Sequence, residues 1–285
     1  MKKKYIYIGA ASDLGVHING SSLGPTKLLE NIDNKLILHQ NQNFVKSQDK
    51  NDLAKNFQEL YDYTNELYNL INEQYNYDQS VLMIGGDHSN AVPSALASVN
   101  KHGKIGLVWL DAHTDYHTMA STTSGNLHGL PCALINGYGD RRLTSFHDGD
   151  YIDPKNTVIV GARSIDDGEV INCKEAGVHV ITMEEVNTRG IIDCLEEAFK
   201  IALDGTNGIH LSYDLDGLDP KLAPGVSTPV NGGLELEDFI LSNKFFRDHN
   251  QDIVSFDLVE FNPLNDIEDK TFNVANEILN TITNN

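Results

Sequence analysis

The chain has 285 residues, 40% of them apolar and 22% charged, which is enough to bury a core without disulfide or metal staples. Lys plus Arg number 21 and Asp plus Glu number 41, a net charge of −20. That charge repels phosphate backbones and anionic lipid, so it excludes nucleic acid and the membrane surface as main partners.

Taken in chain order, the first apolar stretch follows three lysines, as a signal peptide's would. It alternates Tyr5-Ile6-Tyr7-Ile8 and ends at Ser12-Asp13, the pattern of a strand over Tyr5–Gly9. Gly24-Pro25 suits a helix start, because proline at the first helical position loses no needed N–H. Leu53, Phe57, Leu60, Leu67 and Ile71 mark the stripe of an amphipathic helix. Short apolar runs then predict strands at Val81–Ile84, Ile105–Leu110, Thr157–Val160 and His179–Thr182. A second helical stripe follows at Ile191, Leu195, Ala198 and Ala202. Strands at Ile209–Tyr213 and Ile253–Val259 precede a last stripe at Phe272, Ala275, Leu279 and Ile282. Several of these strands are apolar throughout, as strands buried on both faces are. Strand-helix alternation along the whole length predicts an α/β fold with a parallel sheet between two layers of helices, in one domain over residues 1–285. No run reaches the roughly 18 apolar residues of a membrane span. Cys132, Cys173 and Cys194 form no CxxC and read as reduced thiols of a cytoplasmic protein.

Three segments carry chemistry, each at the end of a predicted strand. Asp111-Ala-His113-Thr-Asp115 follows Ile105–Leu110. In an extended chain, residues two apart share a side, so Asp111, His113 and Asp115 converge where parallel sheets place ligands. Asp214-Leu-Asp216 repeats the spacing after Ile209–Tyr213. Two carboxylates side by side at a strand end repel each other, and a cation removes that cost. The EF-hand alternative fails, because glycine falls at the fourth position of the loop and Gly225 at the twelfth. Asp219, before Pro220, reads as a turn residue. Gly85-Gly86-Asp87-His88 lets the backbone turn sharply after Val81–Ile84 and sets His88 at the same strand ends. His88, Asp111, His113, Asp115, Asp214 and Asp216 exceed the usual three protein ligands of a catalytic zinc and suit two divalent ions. Oxygen-rich ligation with two imidazoles favours manganese and disfavours magnesium and calcium, without separating manganese from iron(II) or cobalt. His147-Asp148-Gly149-Asp150 follows no predicted strand and reads as a solvated loop.

The Gly-Gly-Asp-His-Ser, Asp-Ala-His-Thr-Asp and Ser-Tyr-Asp-Leu-Asp-Gly-Leu-Asp-Pro segments resemble the three metal motifs of the ureohydrolase superfamily, which includes arginase, agmatinase and formimidoylglutamase. The resemblance implies a three-layer αβα sandwich, two Mn2+ per chain, and a homotrimer or homohexamer in the cytoplasm. It implies one ion on His88, Asp111, Asp115 and Asp214 and the other on Asp111, His113, Asp214 and Asp216. Between them a shared water, made acidic by both ions, would attack a guanidinium carbon and release urea. Asp115 would serve as a catalytic residue as well as a ligand. Glu260, in Val259-Glu260-Phe261-Asn262-Pro263, is similar to the family's guanidinium partner. His128 sits where arginases place a proton shuttle, and Thr228 resembles the threonine beside the guanidinium.

For the far end of the substrate, Thr122, Thr123, Ser124 and Asn126 resemble the arginase loop that meets an α-carboxylate. Asp166 and Glu169 match the acidic pair that meets an α-ammonium. His117 departs from the pattern: arginases usually carry asparagine there, as a further carboxylate donor, and imidazole is a bulkier donor. The implied substrate is therefore L-arginine, cleaved to ornithine and urea. Agmatine, another guanidino acid or formiminoglutamate are the alternatives.

Overall fold

A computed structural model describes residues 3–47, 49, 52–75 and 79–283. Its strands are β1 (Lys4–Ala11), β2 (Leu36–His39), β3 (Gln79–Gly85), β4 (Gly106–Leu110), β5 (Thr157–Ala162), β6 (His179–Thr182), β7 (Ile209–Asp214) and β8 (Ile253–Val259). They form one sheet in the order β2-β1-β3-β8-β7-β4-β5-β6, and every neighbouring pair is parallel. β2 was absent from the predicted strands. It is a four-residue edge strand whose side chains are only half covered, and its apolar run, Leu36-Ile37-Leu38, is shorter than the four to eight residues that mark a buried strand.

The helices are α1 (Gly24–Leu28), α2 (Phe57–Gln74), α3 (Ala91–His102), α4 (Pro131–Ile135), α5 (Asp167–Ala176), α6 (Met183–Arg189), α7 (Ile191–Ala202), α8 (Leu236–Asp248) and α9 (Lys270–Thr283). Side chains alternate across the sheet as the strand period requires. Leu82 and Ile84 join one core with Leu28, Val186, Leu195, Phe246 and Ile278. Val81 and Met83 join a second with Leu67, Leu96, Leu134 and Cys173. α1, α6, α7, α8 and α9 therefore cover one face, and α2, α3, α4 and α5 cover the other, giving the expected three layers. Leu53 is a correction to the first helical stripe. It precedes α2, in a turn, and lies exposed. Among the described residues, no helix is long and apolar enough to cross a membrane.

The strand order positions the site. After β3 the chain crosses two places to reach β4, and the gap is filled later by β7 and β8. The carboxyl ends of β3, β8, β7 and β4 thus become neighbours at a topological switch point, where open α/β sheets bind ligands.

Candidate active site

Each predicted segment leaves one of these four strands. At the end of β3, a Cβ on Gly86 would lie 1.9 Å from the Ser12 carbonyl oxygen, so only glycine permits the turn. Asp87 then caps it, accepting from the backbone N–H of Ser89 at 2.8 Å and of Gly15 at 2.7 Å. This sets His88 under the other three strand ends. Asp111 follows β4 directly, and Asp214 is the last residue of β7. Asp115 and Glu260 adopt left-handed φ values of 48° and 68°, a backbone strain that side-chain bearing residues keep where the surroundings over-determine them.

His88 Nδ1 lies 3.1 Å from Asp111 Oδ2, 3.1 Å from Asp115 Oδ2 and 3.0 Å from Asp214 Oδ2. It is buried and makes no well-directed hydrogen bond with any of them. His113 Nδ1 lies 3.2 Å from Asp216 Oδ2 and 3.4 Å from Asp111 Oδ1. Ligands about 2.1 Å from a common cation stand roughly 3 Å apart, so the spacing around both imidazoles fits divalent cations. Among the described residues, three three-residue groups present ligand atoms within 4.8 Å of one another: His88-Asp111-Asp115 and Asp111-His113-Asp216, which share Asp111, and His117-Asp166-Glu169, in which Asp166 is exposed. Asp214 reaches the first group only through its Oδ2; its Oδ1 accepts from the Asp216 backbone N–H at 2.7 Å.

Four buried carboxylates around two imidazoles are electrostatically uncomfortable on their own. Burial, Asp216 and Asp111 push the Asp214 carboxyl well above the usual range. Burial and the Asp111 charge push Asp115 up to about 7. Asp216 is also raised, by burial first. Burial opposes charging of His88 and His113, yet the surrounding carboxylates hold both well above an ordinary imidazole. Asp111 alone moves down: burial raises it, but His113 and His88 outweigh that.

Two residues that the motif reading passed over orient these ligands. Ser212 Oγ meets His88 Nε2 at 2.9 Å. Trp109 Nε1 donates to Asp111 Oδ2 at 2.9 Å. Both precede a site aspartate by two positions, Ser212 before Asp214 and Trp109 before Asp111. The two-residue period that groups the aspartates could have pointed to them.

Glu260, buried after β8, accepts at Oε1 from the His88 backbone N–H at 3.0 Å and lies 3.1 Å from His128 Nδ1. Its Oε2 is buried without a partner. Burial lowers the His128 imidazole, but Glu260 and then Asp115 bring it above its ordinary value. Thr228 Oγ1 donates to Asp216 Oδ2 at 3.1 Å.

The residues predicted for the far end of the substrate make hydrogen bonds within the protein, some of them with one another. Thr122 Oγ1 and Ser124 Oγ accept from the backbone N–H groups of Gly125 and Asn126. Asn126 Nδ2 meets His17 Nδ1 at 2.9 Å, a partner no motif had singled out. His117 Nε2 lies 3.1 Å from Asp166 Oδ2, and its Nδ1 lies 3.1 Å from Ser121 Oγ. Asp166 and Glu169 are not equivalent. Asp166 is largely exposed. Glu169 is buried, accepting from the Thr114 hydroxyl, the Tyr116 N–H and the Asp166 N–H. Asp219 holds a turn through the N–H groups of Lys221 and Gly232. The loop at residues 147–150 differs from expectation. His147 is buried, bonded to Tyr68 OH and the Asp150 carbonyl, because Tyr68, on α2, supplies a partner that no local pattern shows.

Comparison with known proteins agrees with this geometry. The profile described as Arginase family matches residues 3–283. The arginase of Brevibacillus brevis is 35% identical over 300 residues, covering 99% of this chain and 98% of that one. The solved structure of Bacillus caldovelox arginase superposes with a TM-score of 0.89 at 31% identity, covering 99% of each chain. Entamoeba histolytica arginase in complex with L-ornithine gives the same score, identity and coverage.

Proposed function

Because the chain belongs to the arginase family, we propose that it hydrolyses the guanidinium group of L-arginine to ornithine and urea, with two Mn2+ per chain. The observation that carries this reading is His88 Nδ1, buried without a hydrogen-bond partner and faced by three carboxylate oxygens at 3.0–3.1 Å. A donor atom so placed calls for a cation. His88, Asp111, Asp115 and Asp214 would hold one, and Asp111, His113, Asp214 and Asp216 the other. Carboxylates with two imidazoles suit manganese better than zinc or copper. When bound, the cations supply Lewis acidity, which lowers the pKa of water and yields a nucleophile near neutral pH.

The remaining work falls to side chains. Glu260 Oε2 is the buried acceptor without a partner, and a planar cationic guanidinium is the donor that suits it. Thr228, beside Asp216, would receive the same group. His128 keeps its Nδ1 on Glu260, which leaves its other ring nitrogen to deliver a proton to the departing amine. Asp115 would act as acceptor within the ligand cluster. Thr122, Ser124, Asn126, His117, Asp166 and Glu169 would read the amino-acid end.

The test is urea release from arginine and from agmatine after chelation, with and without added Mn2+. Arginine should be cleaved only with Mn2+, and agmatine poorly, because donors built for a carboxylate would be left unpaired. Equal cleavage of agmatine overturns the substrate while leaving the chemistry. No urea from arginine with Mn2+ overturns the reading. One observation favours a second substrate class: His117 already occupies Asp166, which suits a guanidino acid lacking the α-ammonium. Such an acid is the third arm of the assay.

A further inference from the structure

We propose that Trp109 is a positioning residue for both cation groups, holding Asp111 by its indole N–H and His88 by its ring face; this rests on the metal-dependent reading above. Trp109 is the chain's one tryptophan and is fully buried on β4. A buried indole N–H needs an acceptor, and it finds Asp111 Oδ2 at 2.9 Å. The indole plane lies 8° from the His88 ring, with centroids 3.8 Å apart. One side chain therefore touches two members of the cluster in different ways. Asp111 is common to the groups His88-Asp111-Asp115 and Asp111-His113-Asp216, so what holds Asp111 acts on both.

The arrangement around His88 shows what the stacking does. Ser212 Oγ fixes one edge of the imidazole at Nε2. The indole fixes its plane. With edge and plane set, Nδ1 is aimed between the three carboxylates before any cation arrives, at no cost of ordering on binding. Outer partners of this kind raise metal affinity by orienting the ligands, and losing one typically costs about 10–100-fold. Ser212 differs from Trp109 in touching only His88 among the six candidate ligands. The two side chains thus separate the effects: Trp109 acts on both cations, Ser212 on one.

The experiment uses the full chain and Mn2+ alone. Binding by wild type, Trp109→Phe and Ser212→Ala is measured by equilibrium dialysis, and wild-type tryptophan emission is titrated with Mn2+ in parallel. Phenylalanine keeps an aromatic face but removes the donor. Expected are an emission change that follows the binding curve, a rise of about 10–100-fold in both dissociation constants for Trp109→Phe, and a rise in only one for Ser212→Ala. A merely structural role would lower the melting temperature equally with and without Mn2+; the proposal expects the Mn2+-induced gain itself to shrink. Wild-type emission unchanged at Mn2+ saturation overturns the proposal even if Trp109→Phe does not fold. So does a Trp109→Phe protein that binds Mn2+ as tightly as wild type. Wild type that binds no Mn2+ overturns the metal reading, and this inference with it.

Discussion

The sheet contains two buried clusters of imidazole and carboxylate, and they differ in whether their atoms are satisfied. In the lower one, His210 on β7 meets Ser255 Oγ at 2.6 Å and Asp257 Oδ2 at 2.8 Å, both on β8. Ser94 of α3 donates to the other Asp257 oxygen at 2.6 Å. One imidazole faces one carboxylate and every polar atom has a partner. In the upper cluster, His88 Nδ1 has no hydrogen bond and four carboxylates crowd two imidazoles. His210 and Asp214 lie on the same side of the same strand, four residues apart. Identical residue types thus serve as internal bracing at one level and as a candidate ligand set at the next. What separates them is the balance of charge and of partners, and an unbalanced buried cluster is the one that calls for a ligand.

The strongest way to break this comparison is to remove the shared ligand. Asp111→Ala, or Asp214→Ala, should lose at least one ion per chain. Several kcal/mol of charge stabilisation would go with it, so urea release should fall about a thousandfold or more. Metal analysis of the purified variants checks this; two Mn2+ retained would refute the sharing. The matching change in the lower cluster should do the reverse. His210→Ala strands the Asp257 carboxylate and should cost about 3–5 kcal/mol of stability, read by denaturant unfolding, with metal content unchanged. Loss of metal in that variant would dissolve the distinction between the clusters.

A third buried site sharpens it. Asp13 and Lys46 form an enclosed ion pair, and Asp13 also accepts from Gly20 N–H, Ser22 and Gln40. Burial raises the Asp13 carboxyl, but Lys46, with the other donors, brings it below its ordinary value. A carboxyl lowered by folding contributes stability that is present above its unfolded value near 4 and is lost as pH falls through the lower folded value. Asp13→Asn should therefore flatten the acid side of the stability profile below about pH 4. It should also cost about 3 kcal/mol at neutral pH by leaving Lys46 enclosed. Thermal melts from pH 3 to 7 report both. The smallest effect is expected at His117, whose partners are satisfied but whose Asp166 faces solvent. His117→Asn frees Asp166 for an α-ammonium and should raise the kcat/KM ratio of arginine over a guanidino acid that lacks this group by about three- to tenfold, under 1.4 kcal/mol. An unchanged ratio in competition assays would show that His117 plays no part in selection.

Much of the site was legible locally because its logic is local. The two-residue spacing groups Asp111 with His113 and Asp115, and Asp214 with Asp216, but the expected extended backbone is not what joins them: the chain bends after Asp111, Asp115 is left-handed, and Leu215–Gly217 form a short 3-10 turn. The same period contains Trp109 and Ser212. They went unread because an indole and a hydroxyl are not ligands themselves, and only their contacts give them a role. β2 escapes because its apolar run, Leu36-Ile37-Leu38, is only three residues long, and His147 reads as solvated because its partner Tyr68 lies 79 residues away.

The sequence by itself determined which segments become buried strands and which side chains stand at their carboxyl ends, since both follow from period-two patterning and apolar runs. It did not determine that β3, β8, β7 and β4 would be adjacent in that order. That order depends on how the crossover helices pack on the two faces, and it alone brings His88, Asp111, Asp214 and Glu260 together from four distant stretches. Nor did it determine that His117 would turn to Asp166. A polar side chain chooses its partner by competition among whatever groups folding leaves within 3 Å, and that set exists only in the tertiary structure.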